Sequence, residues 1–281
     1  MADLRVGFVT CVQVGLSCME EIAAIGGRLH AVLTIPDEKA PAKSGRAYVD
    51  AHCRQHGIDL GKFGNVNDAD AVQWLRDHHL DWLFIIGWSQ IARTEVLEVS
   101  TRGAIGIHPT LLPEGRGRAA VPWAILKGLT VTGVSMFKLD TGVDTGPLLA
   151  QERIPVEPRD TATALYVKVE AAHRYLVRRT WPQLIADELQ LTIQDESRAT
   201  VWPGRSPADG RLDPLMTVAD ADRLVRAVTR PYPGAFLETR GELVRIWSAV
   251  PADLAPSGSS GELFHFRDGS LLATEIERER A

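Results

Sequence analysis

Cysteine is scarce in this sequence, and long apolar runs are missing altogether. The three cysteines, Cys11, Cys18 and Cys53, form no CxxC pair. Such a sparse, odd-numbered set excludes a disulfide framework and favours a reducing compartment. No run of about 18 apolar residues occurs, so a membrane-spanning helix is not expected. The N-terminal MADLRVGFVT has no basic start followed by a long apolar run, so we expect a cytoplasmic protein without a signal peptide.

Basic charge is also in short supply. The net charge is −5, and residues 206–281 contain nine Arg, no Lys and 12 acidic residues, a net charge of −3. Proteins that bind nucleic acid usually carry a basic patch that neutralises phosphates. We therefore do not expect transfer RNA as a partner, although a local basic patch outside the C-terminal region stays open.

The rest of the composition is that of an ordinary globular chain, with 45% hydrophobic and 24% charged residues. A length of 281 residues suffices for a catalytic domain and a small second domain. Strand-like and helix-like patterns alternate along the first two thirds of the chain. The strand patterns cover residues 4–10, 29–35, 80–87, 104–108 and 133–139, and the helix patterns cover 18–25, 46–56, 69–78, 122–127 and 161–189. This alternation predicts an α/β domain with a parallel sheet that binds ligands at the carboxyl ends of its strands.

A domain boundary is predicted where turn-forming residues cluster, at residues 202–210 (WPGRSPADG). We expect a catalytic domain over residues 1–200 and a second domain over residues 205–281. A helix pattern at 218–229 and short strand patterns separated by Gly and Pro predict a small β-rich barrel or meander.

The densest chemical motif is GIHPTLLPEGRGR, residues 106–118. His108 ends a predicted strand at the rim of the sheet, where it can handle a proton. The alternative is a histidine that caps the strand and bonds the loop. Arg116 and Arg118 are suited to holding an anionic group, or else anchor the loop through backbone carbonyls.

A second motif, DTGVDTG, covers residues 140–146. Asp140 has the place of an ordinary turn-forming aspartate. Asp144 is a candidate partner of His108, because a nearby carboxylate orients an imidazole and stabilises its charged form.

Together these motifs resemble the formyltransferases that use 10-formyltetrahydrofolate, among them methionyl-tRNA and sugar N-formyltransferases. The family pattern is Asn-x-His, a loop like SLLPxxRGxxP, and an Asp in a DxG turn. This chain has His108, the loop TLLPEGRGRAAVP, and Asp144-Thr145-Gly146, the aspartate lying 36 residues after the histidine. Similarity extends over nearly the whole chain, including RPYPGAF at residues 230–236.

The resemblance implies a Rossmann-like, mostly parallel catalytic domain and a small OB-like C-terminal domain. It implies 10-formyltetrahydrofolate as cosubstrate and catalytic roles for His108 and Asp144. The pterin slot would be formed mainly by backbone, and the expected cofactor-binding residues are Ile86, Gly87, Trp88, Arg116, Arg118, Leu139 and Asp140. For Trp88, core packing at a strand end is an alternative role.

One position departs from the family pattern. Gly106 stands where the family has an Asn that is thought to bond the formyl oxygen. Loss of such a donor typically costs about two to three orders of magnitude in rate. Either Ser89 or Gln90 replaces the donor, or a backbone N–H does, or the chain is slow or altered in its chemistry.

The expected acceptor is the amine of a small molecule, with a nucleotide-linked amino sugar first and an amino acid or natural-product amine second. A hydrolase that releases formate from the same folate, and a non-catalytic folate binder, are the alternatives from other classes. A homodimer stays open. A metal site is not expected, because His52 and His56 have helical spacing without a suitably spaced third ligand.

Overall fold

The computed structural model describes residues 4–42, 45–239 and 241–280. Arg240 and Ala281, which belong to the predicted second domain, lie outside these residues. The strands are β1 Val6–Val9, β2 Ala31–Thr34, β3 Asp59–Lys62, β4 Trp82–Ile85, β5 Gly103–His108, β6 Arg116–Gly117, β7 Val131–Lys138, β8 Leu148–Pro155, β9 Val201–Trp202, β10 Ala235–Thr239, β11 Glu242–Pro251, β12 Glu262–Phe266 and β13 Gly269–Arg280. The α-helices are α1 Gln13–Ala24, α2 Asp50–His56, α3 Ala69–Asp77, α4 Thr94–Leu97, α5 Ala120–Leu126, α6 Ala162–Ala186 and α7 Val218–Val228.

The described residues form two compact units. The first contains the chain up to Gly117 together with Gly133–Ile154 and Val169–Val201. The second contains Arg118–Thr132, Pro155–Lys168 and the chain from Trp202 onward.

A seven-stranded sheet forms most of the first unit, in the order β3-β2-β1-β4-β5-β7-β8. The first five strands in this order are parallel to one another. Strand β7 runs antiparallel to β5, with His108 opposite Ser135. The sheet is therefore mixed but mostly parallel, which confirms the predicted Rossmann-like fold.

Helices cover both faces of this sheet, because its central strands alternate two apolar sets of side chains. On one face Phe84 stacks on Phe8 and on Trp181 of α6, with ring centroids 5.8 and 6.1 Å apart. On the other face Leu83 shares an apolar cluster with Leu75 of α3. Buried residues of α3 recur at helical spacing, as expected for a helix with one face on a sheet.

The second unit contains a four-stranded antiparallel sheet in the order β10-β11-β13-β12, with α7 packed against it. Helix α7 is capped by Thr217, whose side chain accepts a hydrogen bond from the N–H of Asp220. The predicted small β-rich C-terminal domain is confirmed.

Two strands of the seven-stranded sheet, β3 and β8, were not expected from the sequence pattern, and neither were the two-residue strands β6 and β9. Strands β3 and β8 lie at the edges of the large sheet, and most of their residues are only partly buried. Edge strands need no continuous apolar run, so the signal that identifies the central strands is absent there. No helix among the described residues is long and apolar enough to cross a membrane.

Candidate active site

His108 is the last residue of β5 and is 8% exposed. Its Nε2 lies 2.8 Å from the carbonyl oxygen of Gly115. A carbonyl can only accept, so Nε2 carries the hydrogen and the neutral ring keeps its lone pair on Nδ1. That Nδ1 lies 3.6 Å from Oδ2 of Asp144. The structure therefore brings together the two residues that were predicted to be catalytic.

Asp144 has a left-handed backbone, with φ of 55°. Its Oδ2 accepts a hydrogen bond of 2.8 Å from the N–H of Gly117. The same oxygen thus faces both a backbone donor and the His108 ring. A proton on Nδ1 would be stabilised by this carboxylate, so the pair can accept a proton at His108 and hold it.

The loop that follows His108 is fixed by two polar side chains that sequence reasoning missed. Ser135 is fully buried, donates to the carbonyl of Thr110 and accepts from the N–H of Leu112. Gln151 donates to Ser135 Oγ and to the Leu112 carbonyl, both at 2.8 Å. The only sequence signal was their polar character within strands, which is too common to single them out.

Arg116 is only 5% exposed, and its guanidinium is occupied by protein acceptors. Nε and Nη2 bond to Oε1 of Gln194 at 3.2 and 2.8 Å, and Nη1 bonds to Glu196 at 2.9 Å. The bond to Glu196 raises the pKa of Arg116 above its ordinary value. These contacts hold the loop through side chains, not through the backbone carbonyls that the anchoring alternative named, and a contact of Arg116 with a ligand stays a prediction. Arg118 lies in the second unit, where its N–H donates to the Trp202 carbonyl.

Three of the predicted cofactor-binding residues follow β4. Ile86 is fully buried and extends the strand by donating to the Val9 carbonyl. Gly87 has φ of 67°, a conformation that favours glycine and turns the chain. Trp88 is partly buried against an apolar cluster that contains Ile85 and Ala104. This contact agrees with the core-packing alternative for Trp88.

Leu139 packs against the same cluster as Trp88. Trp88 Nε1 is buried without a hydrogen-bond partner among the described residues. Trp88 and Leu139 therefore share one apolar environment, and their role in a pterin slot stays a prediction. Asp140 is exposed and closes its own turn, accepting from the N–H of Gly142 and from Thr145 Oγ1.

The space beside Gly106 is already filled. A Cβ built at Gly106 would lie 2.7 Å from Cδ2 of Leu139 and 3.3 Å from Phe137. Leu139 therefore occupies the volume into which a side chain at position 106 would project. Of the two side chains that were expected to replace the missing Asn, Gln90 has its amide group engaged, because Nε2 donates to the Gly64 carbonyl and Oε1 accepts from the N–H of Val66.

A second histidine near His108 was not foreseen. His173 on α6 is fully enclosed and donates through Nδ1 to the Val169 carbonyl. Burial lowers the pKa of His173 to about 4, with the charge of His108 adding to the effect and the bond to Val169 opposing it. His173 is therefore neutral near pH 7. Among the described residues no cluster of three or more His, Cys, Asp or Glu is arranged to hold a metal.

Known proteins resemble this chain along most of its length. A structure of a variant of HypX from Aquifex aeolicus has 17% identity and a TM-score of 0.73, and covers 98% of this chain, which spans 44% of HypX. Methionyl-tRNA formyltransferase from Clostridium thermocellum has 15% identity and a TM-score of 0.67, with 99% of this chain and 100% of that chain covered. The N-formyltransferase from Helicobacter canadensis, in complex with folinic acid and dTDP-3-aminofucose, has 14% identity and a TM-score of 0.70, with 96% and 98% covered.

Two family models match the sequence. Residues 18–180 match the formyl transferase model, and residues 205–277 match the model of the formyl transferase C-terminal domain. The first match alone covers more than half of the 281 residues. The chain belongs to the formyl transferase family.

Proposed function

We propose that this formyltransferase moves a formyl group from 10-formyltetrahydrofolate to the amine of a small molecule. The observation that carries the proposal is the pairing of His108 with Asp144, at 3.6 Å, on the rim of the sheet. The amine nitrogen attacks the formyl carbon, the bond from that carbon to N10 of the folate breaks, and N10 takes up a proton as tetrahydrofolate leaves. Solved structures of similar fold contain tetrahydrofolic acid or folinic acid, which supports this cosubstrate.

In this proposal His108 is the general base. The Gly115 carbonyl holds the hydrogen on Nε2, so the lone pair on Nδ1 is free to take a proton from the attacking amine. Asp144 would stabilise the imidazolium that results and keep the ring in place. Trp88 and Leu139 would form a wall of the pterin slot.

The acceptor is proposed to be an amino sugar on a nucleotide carrier. The Helicobacter enzyme of similar fold binds such a sugar, and the net charge of −3 over residues 206–281 disfavours transfer RNA. An amino acid or natural-product amine is the second candidate. A homodimer, a cytoplasmic location and the domain boundary near residues 202–210 stay predictions.

Gly106 motivates a second candidate function. Without a side-chain donor at this position, hydrolysis of the folate or simple folate binding is the alternative. Water would then take the place of the amine, and the same His108 and Asp144 would serve it.

The test is to incubate the purified protein with 10-formyltetrahydrofolate and separate acceptors: nucleotide-linked amino sugars, free amino acids, aminoacylated tRNA, and no amine. Deformylated folate is followed by absorbance and formylated products by mass spectrometry. A formylated sugar supports the proposal. Formate release without amine supports the hydrolase, and folate binding by calorimetry without turnover supports the binder.

Substitution of His108, the proposed general base, tests the mechanism. His108→Ala should lower kcat by about 100-fold or more, because general-base catalysis of this kind is worth about two to four orders of magnitude. His56→Ala removes an exposed histidine and should leave kcat unchanged. A folded His108→Ala protein with full activity would rule out the proposed mechanism.

A further inference from the structure

A single short segment binds both of the loops that contact the His108 ring. This segment, residues 194–200, follows the long helix α6 and is called the clamp here. At one end of the clamp Thr200 accepts a bond of 2.8 Å from the N–H of Gly115 through its Oγ1. Gly115 provides the carbonyl that accepts from His108. Thr200 therefore fixes the acceptor of His108 Nε2.

At the other end of the clamp Gln194 binds the loop of Asp144. Its Nε2 donates to the backbone carbonyls of Asp144, at 2.9 Å, and Gly146, at 2.7 Å. Its Oε1 accepts two bonds from Arg116. Gln194 is 5% exposed and uses its entire hydrogen-bonding capacity in these four contacts.

The geometry of the Asp144 loop explains why such a support matters. Asp144 holds a left-handed backbone that non-glycine residues rarely adopt, so the loop needs contacts that compensate for the strain. Gly146 lies so close to the Lys138 carbonyl that there is no space for a Cβ at this position. The amide of Gln194 joins this glycine to Asp144 by donating to both backbone carbonyls.

We propose that Gln194 is a positioning residue for formyl transfer, acting through Asp144, and that the clamp sets the orientation of His108 from both sides. The proposal rests on the function proposed above. Gln194 acts on the residue whose carboxylate faces Nδ1, and Thr200 acts on the residue whose carbonyl accepts from Nε2. Arg116 completes the arrangement by holding the amide oxygen of Gln194.

The first test is a double-mutant cycle between Gln194 and Asp144. Gln194→Met keeps the length of the side chain and removes its hydrogen bonds. We expect it to lower kcat by about 10- to 100-fold, as misplacement of a catalytic group does, with KM for both substrates changed by less than about twofold. Asp144→Ala should lower kcat as well, and adding Gln194→Met to Asp144→Ala should cause no further loss. Losses that multiply fully, or an unchanged kcat in Gln194→Met, would overturn the proposal.

The second test needs no turnover and therefore separates this proposal from the proposed function. The N–H of Gly117 bonds to the Asp144 carboxylate, so its hydrogen exchange, followed by NMR, reports whether that carboxylate is in place. Exchange should be at least about 10-fold faster in Gln194→Met and in Asp144→Ala. Gln73→Met makes the same substitution at an exposed glutamine of α3, whose amide donates to Asp77, and should leave exchange and kcat unchanged.

If Gln194→Met does not fold, Gln194→Glu is measured in its place. Gln194→Glu keeps an acceptor for Arg116, replaces the two donors to the Asp144 loop by an acceptor oxygen and adds a negative charge. It should speed Gly117 exchange as Gln194→Met does. Unchanged Gly117 exchange in either folded variant contradicts the proposal, and so does failure of both variants to fold, because Gln194 would then be required for the fold as a whole.

Discussion

At the scale of the residue, Gly106 and Leu139 form a matched pair. Leu139 fills the space into which a Cβ at position 106 would project, with 2.7 Å between the two carbons. Gly106→Ala should therefore lower the free energy of unfolding by about 1 to 3 kcal/mol, the usual cost of overpacking. In a Leu139→Ala background the same substitution should cost at least about 1 kcal/mol less, because the two sites are in contact. Urea unfolding of the four proteins measures this coupling, and equal penalties in both backgrounds would contradict it.

At the scale of the element, α1 is tied to α6 through one buried carboxylate. Glu21 is 2% exposed and accepts from Arg174 at 3.0 Å and from Arg178 at 2.6 Å. Burial raises the pKa of Glu21, but the bonds from the two arginines outweigh it, so the pKa lies below its ordinary value. The stabilisation is therefore present above pH 4.5 and lost as the pH falls through the lowered pKa.

Substitution of Glu21 tests this contact. Glu21→Ala should lower the free energy of unfolding by about 2 kcal/mol at pH 7, because bonds to charged groups contribute about 1.5 to 3 kcal/mol and both arginines can still reach water. The exposed neighbour Glu20 is the matched control, and Glu20→Ala should change stability by less than about 0.5 kcal/mol. Chemical unfolding of both variants decides the matter. Similar losses of unfolding free energy in the two variants would mean that the ion pairs of Glu21 make no net contribution to stability.

At the scale of the whole molecule, His173 makes folding sensitive to acid. Its folded pKa of about 4 lies below the ordinary value of 6.5, so the unfolded chain binds more protons between these two values. The contribution of neutral His173 to the free energy of unfolding should thus be fully present above pH 6.5. It should fall as the pH decreases towards 4, by at most about 3 kcal/mol in total. Gln stays neutral, so His173→Gln should reduce the change of the unfolding free energy between pH 6.5 and 4.5, as measured by urea unfolding. His56→Gln should leave the slope as it is, and a steep slope in both variants would exclude His173 as the cause.

Prediction from the sequence succeeded where local pattern and tertiary environment agree. Strand β4 and helix α3 were predicted within a few residues, because a buried strand needs an apolar run and a helix on a sheet needs helical spacing. Helix α1 begins at Gln13, five residues before its predicted start, since no capping residue marks its beginning. Strands β3 and β8 escaped notice because edge strands tolerate polar side chains.

The site shows the same division. His108 and Asp144 were identified from a motif, which records residue types at fixed spacing. Gln194, Ser135 and Gln151 carry no such mark, because a polar residue in a strand or loop has many ordinary uses. Their roles follow from hydrogen bonds between residues up to 78 positions apart, as between Gln194 and Arg116.

The residue order alone was enough to predict the family and the mostly parallel sheet and to single out His108 and Asp144 as candidates, since periodicity and motif are local properties of the chain. The tertiary structure decided three further matters: which nitrogen of His108 is free, what Arg116 binds, and what fills the space at Gly106. Each depends on groups that are distant in the chain and meet only after folding. The direction of a hydrogen bond and the volume available to a side chain depend on these tertiary contacts, so a local sequence pattern does not specify them.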